Sequence, residues 1–530
     1  MYKILVTGAL DPIGLTLLRA HPEVELDYAP DLAYDHILER IGGYDCIVSR
    51  SETDVDRRMI DAGTQLKVIA RAAVGVGNID IEYATQKGIL VLNTPAKNTN
   101  SAAELTLGTL LALVRKVVRA HQKMEAGGWD RHTFTGRELL GKNLGIVGLG
   151  NVGHRVAKFA LGFDMKVFAY DPYISDDTFK KHGVIKCERL DEMLPRVDVL
   201  TVHVPKNKET SGMIGARELA LLPRGSWVLN LARGGIIDEG ALAEGLASGQ
   251  VGGAGIDTWA VEPVKDHPLK KFPNVVMTPH IGASTSEAQR RIAETVAEQT
   301  LKALSGEVVD TPVNMPFLQA ELPAELKRYA VLAERMGSFT GQYIDFNPAS
   351  IQFTYRGQLA SNHSALVKLA FLKGFLRRTV DEDMYVSFVN VEELVRKKGI
   401  TLGEGEDPTW RAYNSSFHVT VQSKVGKFSI GGTVFDGAHD RFIDLDGFCF
   451  EVEPRGHLLV LRNQDVPGMI GRIGTALGNH HVNIDSFELS RQERGGVAMA
   501  MIRTDDRVGD DVHQLLAAIP GILSVRVIHI

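Results

Sequence analysis

Arg233 follows the apolar run Trp227 to Leu231, Asp257 and Glu262 follow Gly255-Ile256, and His280 follows Val275 to Thr278. If those runs are strands of an open parallel sheet, a cation, two acids and an imidazole converge in the crevice beyond the carboxyl ends of the strands. Imidazole is matched to proton transfer near neutral pH. His280 is therefore the candidate base for an alcohol whose hydride leaves for a nicotinamide. Glu262, on the far ring nitrogen, would fix the tautomer and favour the imidazolium. Arg233 would hold a substrate carboxylate through two parallel hydrogen bonds. The chain has 17 histidines; position at a strand end singles out His280, whereas His121 and His480 read as surface or core residues.

A cofactor site is legible upstream. Gly148-Leu149-Gly150-Asn151-Val152-Gly153 lies between the strand-like Leu144 to Val147 and the helical Val156 to Leu161. Glycine permits the tight turn and the close approach of a pyrophosphate to a helix N-terminus. Asp171 ends the next strand, 18 residues beyond Gly153, near the spacing expected of a carboxylate that grips ribose hydroxyls. Such a carboxylate repels a 2′-phosphate, so the expected cofactor is NAD, held by Gly148, Gly150, Asn151, Val152, Gly153 and Asp171.

The elements that must position these groups form four blocks. Short β-branched runs (Lys3 to Thr7, Asp45 to Ser49, Lys67 to Ala70, Ile89 to Leu92) alternate with helical stretches. This predicts a flavodoxin-like, doubly wound parallel sheet over 1–97, completed by 284–312. A second series of strands predicts a Rossmann-type nucleotide domain over 98–283. Ser101 to Glu104 and Ser284 to Glu287 have capping-box spacing and predict two helix starts. A proline-rich linker spans 314–323. An α+β intervening domain is expected over 317–453, and 456–530 reads strand, helix, strand, strand, helix, strand, the ferredoxin-like order. Arg50 and Arg71, at strand ends of the first block, would face the same crevice, joined by Arg131. Those extra arginines suggest a second anionic group on the substrate, such as phosphate. The basic helix with Lys368, Lys373, Arg377 and Arg378 is a second, weaker candidate for an anion.

Bulk properties exclude other classes. Lys+Arg 59 against Asp+Glu 65 gives a net charge of −6 over 530 residues, which provides no field for nucleic acid. The apolar fraction of 44% and charged fraction of 23% are those of a folded globular protein. Three cysteines without a close pair give no disulfide scaffold and no metal site. No signal peptide and no membrane span are expected, and a reducing, cytoplasmic setting fits.

The segments Asn93-Thr94-Pro95, Ser101-Ala102-Ala103-Glu104, Gly148-Leu149-Gly150, Leu231-Ala232-Arg233-Gly234-Gly235, Gly255-Ile256-Asp257 and Pro279-His280-Ile281-Gly282-Ala283-Ser284 closely resemble the D-2-hydroxyacid dehydrogenase family, in a long form that ends in an ACT regulatory domain. The resemblance implies oxidation of 3-phosphoglycerate with NAD at the entry to serine biosynthesis, with Arg233, Glu262 and His280 catalytic and Asp257 touching the nicotinamide. It implies substrate contacts from Arg50, Arg71, Gly75 and Asn98, and from Arg131 of a neighbouring subunit. It further implies a homotetramer and an effector at Asp465, Gly468 and Asn483, L-serine by analogy. Ala73 and Gly77 stand where many relatives carry glycine and aspartate, and Lys97 replaces a small residue. Two other readings remain: a glyoxylate or hydroxypyruvate reductase, and a non-enzymatic NAD-sensing scaffold. The joint presence of Arg233, Glu262 and His280 disfavours the second of these.

Overall fold

The structure, a computed structural model, describes residues 1–315, 324–361, 364–379, 386–408, 412–437 and 439–530. Most of the expected linker at 314–323 lies outside the described residues. Internal contacts divide the chain into two compact units, one of Met1–Ala9, Thr16–Asn93 and Val296–Ile530, the other of Leu10–Leu15 and Thr94–Thr295. The division falls within the helix Ser286–Ser305.

The second unit is built on strands Asn143–Val147, Lys166–Tyr170, Ile185–Lys186, Val199–Val202, Ser226–Asn230, Val251–Ile256 and Val275–Met277. Numbered in chain order, they lie side by side as 7-6-5-4-1-2-3, every pair parallel. This is the doubly wound dinucleotide-binding order with one further strand. Because all the strands run the same way, the residues that follow them lie along one edge of the sheet. Apolar side chains on both faces explain why the runs are nearly continuous rather than alternating.

Neither capping box forms as the sequence suggests. The first helix begins earlier, at Thr99, with Asn98 at its cap position, so Ser101 falls inside it and bonds the Thr285 hydroxyl at 2.8 Å. The helix Ser286–Ser305 is capped by Thr285, whose hydroxyl accepts the Ala288 N–H at 3.2 Å. In each case a polar neighbour of the expected serine occupies the cap.

In the first unit, strands Tyr2–Val6, Val24–Tyr28, Cys46–Ser49, Val68–Arg71 and Leu90–Leu92 form a parallel sheet in the flavodoxin order 2-1-3-4-5. Val24–Tyr28, an edge strand carrying Glu25 and Asp27, is not foreseen by the sequence reading. The same unit continues with the helices Ala324–Tyr343 and Ser364–Leu376 on a six-stranded mixed sheet. Its edge strand Thr401–Asp407, parallel to Ser350–Gly357, is also unforeseen, and Phe442 to Glu453 is two strands with a turn at Asp446-Gly447.

The terminal segment is a four-stranded antiparallel sheet covered by Met469–Asn479 and Asp510–Ala517, the ferredoxin-like arrangement. Leu459, Leu461, Ala500 and Ile502 point under those helices. The alternate set, Leu458, Val460, Met499, Met501 and Ile528, joins the core of the six-stranded domain. The two-residue period of the strand thus gives the terminal sheet two buried faces.

On the basic helix, read as a solvated face with an anion site as the weaker alternative, three of the four cations are ion-paired. Lys368 pairs with Glu392 and Glu404, and Lys373 and Arg377 pair with Glu334. Asp310 forms another charged junction: it accepts from Gln299 at 2.9 Å, Lys302 at 2.9 Å and Lys327 at 2.7 Å. Partial burial pushes its carboxyl up, but these donors outweigh burial and hold it well below the usual carboxylate range. A depressed folded value stabilises the protein above the unfolded value, near 3.9, and the gain is lost as pH falls through the folded one. Asp310→Asn should therefore lower the melting temperature by a similar amount at pH 8 and pH 5, and the gap should shrink below about pH 3. Melting curves across that range check this; a gap unchanged in acid would contradict it.

Candidate active site

The segment Thr258 to Pro263 and the loop Thr278 to Gly282 both leave C-terminal strand ends of the second unit. Asp257 binds the latter. Its Oδ1 accepts the Ile281 N–H at 2.8 Å and the Thr278 hydroxyl at 2.6 Å, and its Oδ2 accepts the Gly282 N–H at 3.0 Å. Its carbonyl takes the His280 N–H at 2.9 Å. His280 itself has φ 55, a left-handed conformation uncommon in residues other than glycine. Asp257 is 0% exposed. Its carboxylate thus shapes the histidine loop.

Glu262 meets His280 squarely. Nδ1 of the imidazole lies 3.1 Å from Oε1 and 2.9 Å from Oε2. Oε1 also accepts the Trp259 N–H at 2.9 Å. A carboxylate here only accepts, so Nδ1 carries the proton and Nε2 is the acceptor nitrogen. The imidazole side chain is 43% exposed and open to a substrate. Arg233 follows the strand Ser226–Asn230, and its Nη1 donates to the Ala232 carbonyl at 2.7 Å. Burial pulls its guanidinium below the ordinary arginine value, opposed by the charge of Glu262. His203, beside the glycine loop, is no rival base: burial pushes it down to about 4.

The glycine loop fits a dinucleotide. Gly148 has φ +91, and a Cβ there would lie 2.6 Å from Val204 and 2.7 Å from the His203 carbonyl oxygen. A Cβ on Gly153 would overlap the Gly148 carbonyl oxygen. Gly150 differs: nothing of the protein lies within 4 Å of its Cβ position, at the N-cap of the helix Asn151–Leu161 that also carries Val152. Two glycines are required by the fold and the third leaves open space where backbone N–H groups present a helix N-terminus. Asp171 accepts the Leu149 N–H at 2.9 Å and the Tyr173 N–H at 3.0 Å, which fixes its carboxylate beside the loop with lone pairs for ribose hydroxyls.

The other expected contacts stand as follows. In the first unit, Arg50 donates to the Ala9 carbonyl at 2.8 Å. Arg71 is 3% exposed and donates to the carbonyls of Gly75, at 3.0 Å, and of Arg50, so it braces its own loop. Burial lowers it to about 10, and it stays cationic. In the second unit, Asn98 makes no side-chain capping bond, the Lys97 carbonyl accepts from Arg291 at 3.1 Å, and Arg131 is exposed near Trp129, itself 78% exposed.

In the terminal domain, Asp465 accepts from Arg491 at 2.8 Å and from the Gly495 N–H at 3.0 Å, and neither caps a helix nor stands ready for an ammonium. Asn483 donates to Asp505 at 2.7 Å. Asp465 follows the end of strand His457–Gln464 whereas Asn483 precedes Ile484, which pairs with Thr504 opposite His457. The chain thus holds them at opposite ends of the sheet, and a single copy does not assemble the expected effector trio; Gly468, φ +87, stays with Asp465. Sequence reasoning missed Trp259, Thr278, Glu239 and His267, all of which hold the segments bearing Glu262 and His280; their side-chain bonds span up to 28 positions and carry no local signature.

Three family models match the chain: the D-isomer specific 2-hydroxyacid dehydrogenase NAD binding domain over residues 107–282, the D-3-phosphoglycerate dehydrogenase intervening domain over 325–446, and the ACT domain over 457–521. The chain belongs to the D-isomer specific 2-hydroxyacid dehydrogenase family, and it is an NAD-dependent oxidoreductase. Within that family it is similar over its full length to proteins named D-3-phosphoglycerate dehydrogenase. The one from Methanocaldococcus jannaschii is 38% identical over 530 residues, covering 100% of both chains. That from Bacillus subtilis is 34% identical over 531 residues, covering 100% of this chain and 99% of its own.

Among solved structures, the TT0316 protein of Thermus thermophilus (TM-score 0.54, 35% identity) covers 59% of this chain and 99% of its own. The D-lactate dehydrogenase of Aquifex aeolicus, complexed with NAD and lactic acid, covers 57% and 96% (TM-score 0.51, 28% identity).

The open space at Gly150 generates a test. Gly150→Leu should fold with an unchanged melting temperature yet weaken NADH binding at least about tenfold, or about 1.4 kcal/mol. Titration by NADH fluorescence reads this; unchanged affinity would remove the assignment.

Proposed function

We propose that the protein oxidises 3-phospho-D-glycerate to 3-phosphohydroxypyruvate with NAD, the first step of phosphorylated serine biosynthesis in a reducing, cytoplasmic setting. The single observation that carries the reading is the clasp of both Glu262 oxygens on Nδ1 of His280, in a chain whose full-length relatives bear that enzyme's name. NAD, held along Gly148 to Gly153 and Asp171, supplies the hydride acceptor when bound. His280 Nε2 takes the proton of the C2 hydroxyl. Glu262 keeps Nδ1 protonated, offsets the positive charge that forms on the ring, and is itself steadied by the Trp259 N–H. Arg233 offers a guanidinium to the substrate carboxylate and polarises the adjacent carbon–oxygen bond.

By the family resemblance Arg50, Gly75 and Asn98 are substrate contacts, and Arg71 braces the loop of Arg50 and Gly75. A phosphate there is the reason for more than one arginine. Arg131, on an exposed turn with Trp129, acts in the site of a neighbouring copy. The exposed apolar side chains Val117, Val118 and Met124 support a homo-oligomer, a tetramer by family expectation. The ACT domain takes a small-molecule effector, L-serine by analogy, at a site that needs a second copy to bring Asn483 to Asp465 and Gly468.

One assay tests the substrate. The purified protein is given phosphohydroxypyruvate, hydroxypyruvate or glyoxylate, each with NADH, and absorbance is followed. The expected result is a clear preference in kcat/KM for the phosphorylated acid. Preference for the smaller acids would make it a glyoxylate or hydroxypyruvate reductase, and no turnover with any of them would leave an NAD-sensing scaffold.

A further inference from the structure

One shell behind Glu262 and His280 lies a second carboxylate–imidazole pair that the proposed reaction does not use. Glu239 opens the helix Glu239–Ser248, capped by Asp238. Its Oε1 accepts the Ala260 N–H at 2.7 Å, and its Oε2 faces Nε2 of His267 at 2.8 Å. His267 Nδ1 accepts the Leu269 N–H at 3.2 Å, so the proton of the neutral ring sits on Nε2 and is donated to Glu239. The side chains of His267 and Glu239 are only 16% and 15% exposed.

The pair fixes the short segment that carries Glu262. Ala260 is held by Glu239, and the indole N–H of Trp259 donates to the Thr278 carbonyl at 3.1 Å. The His267 ring stands edge-on to that indole, with centroids 5.1 Å apart. On its other side the segment rests on Gly234, where a Cβ would overlap the Trp259 carbonyl. An acid at a helix N-terminus is favoured by the helix dipole alone. That does not account for a carboxylate turned to bridge the Ala260 amide and a largely enclosed imidazole.

Resting on the reading of His280 as the base, we propose that Glu239 is a positioning residue for the reaction, its rotamer fixed by His267. It holds residues 259–262 where Glu262 meets Nδ1 of His280. Glu239 touches no reacting atom. Among the described residues, charged groups that bear on the Glu262–His280 pair include Arg233, within the field of Glu262, and Asp257, which ties down the loop of His280. Glu239 acts through the backbone of the segment and bonds neither.

The test is a pH–rate profile of alcohol oxidation for Glu239→Ala, Glu239→Gln and His267→Ala, with NADH affinity as the check on folding. Glu239→Ala should lower kcat about tenfold to a hundredfold, since small misplacements of a catalytic group cost that much. NADH affinity should stay within about twofold, because no cofactor contact is lost. Its acid limb should move to lower pH, because a loosened Glu262 stabilises the imidazolium less. A purely structural defect would lower the amplitude without moving the limb. Glu239→Gln keeps an acceptor for the Ala260 N–H and should return the limb most of the way. His267→Ala should shift it less, in the same direction, and serves if Glu239→Ala does not fold. An unmoved limb in every folded variant overturns the proposal. His280→Asn belongs in the same panel. Wild-type turnover there would refute the base itself, whereas an inactive His280→Asn beside unmoved limbs would refute the role of Glu239 alone.

Discussion

The contact between Glu262 and Nδ1 of His280 decides which nitrogen of the imidazole can accept a proton, and the neighbouring structure is arranged to maintain it. Asp257 gathers two backbone amides and a hydroxyl from the histidine loop. Trp259 ties the glutamate segment back to Glu262 and across to Thr278. Neither residue of the pair is deeply buried, so its orientation comes from this scaffold of hydrogen bonds. A parallel sheet makes the scaffold compact, because the loops bearing Arg233, Glu262 and His280 leave neighbouring strands at one edge.

The ACT end of the chain obeys a different constraint. An antiparallel sheet with helices on one side commonly leaves its other face to solvent. Here Leu458, Val460, Met499, Met501 and Ile528 close that face against the intervening domain. The terminal sheet and the six-stranded domain thus share one core, and the first helix of that domain reaches Asp310 through Lys327. Packed interiors respond to displacement as units rather than by gradual yielding.

Much of this was legible in the sequence where one residue type meets one backbone requirement. The glycine loop is such a place: Gly148 and Gly153 admit no Cβ. The strand-end positions of Arg233 and His280 are another, since runs of β-branched residues announce where strands stop. Legibility failed where roles are interchangeable or distant. Thr285 took the cap position from the neighbouring Ser284, because any short polar side chain before the first turn competes for the same amides, and the other helix starts at Thr99, ahead of Ser101. The edge strands Val24–Tyr28 and Thr401–Asp407 lack the apolar continuity of buried strands. The helix Ser364–Leu376 and its end read as a solvated basic face, and the partners Glu334, Glu392 and Glu404 come from elsewhere in the chain, with no local sign of them in the sequence. Asp257 stands out at a strand end, but its three donors lie more than 20 positions away, so its structural role has no local signature.

A crystal structure of the protein with NAD and a substrate-like hydroxy acid addresses the central claim most directly. The account predicts Nε2 of His280 within hydrogen-bond reach of the C2 oxygen, about 2.6–3.2 Å, with Glu262 still on Nδ1 and Arg233 on the carboxylate. A complex in which the ring points away and another group meets that oxygen would contradict it.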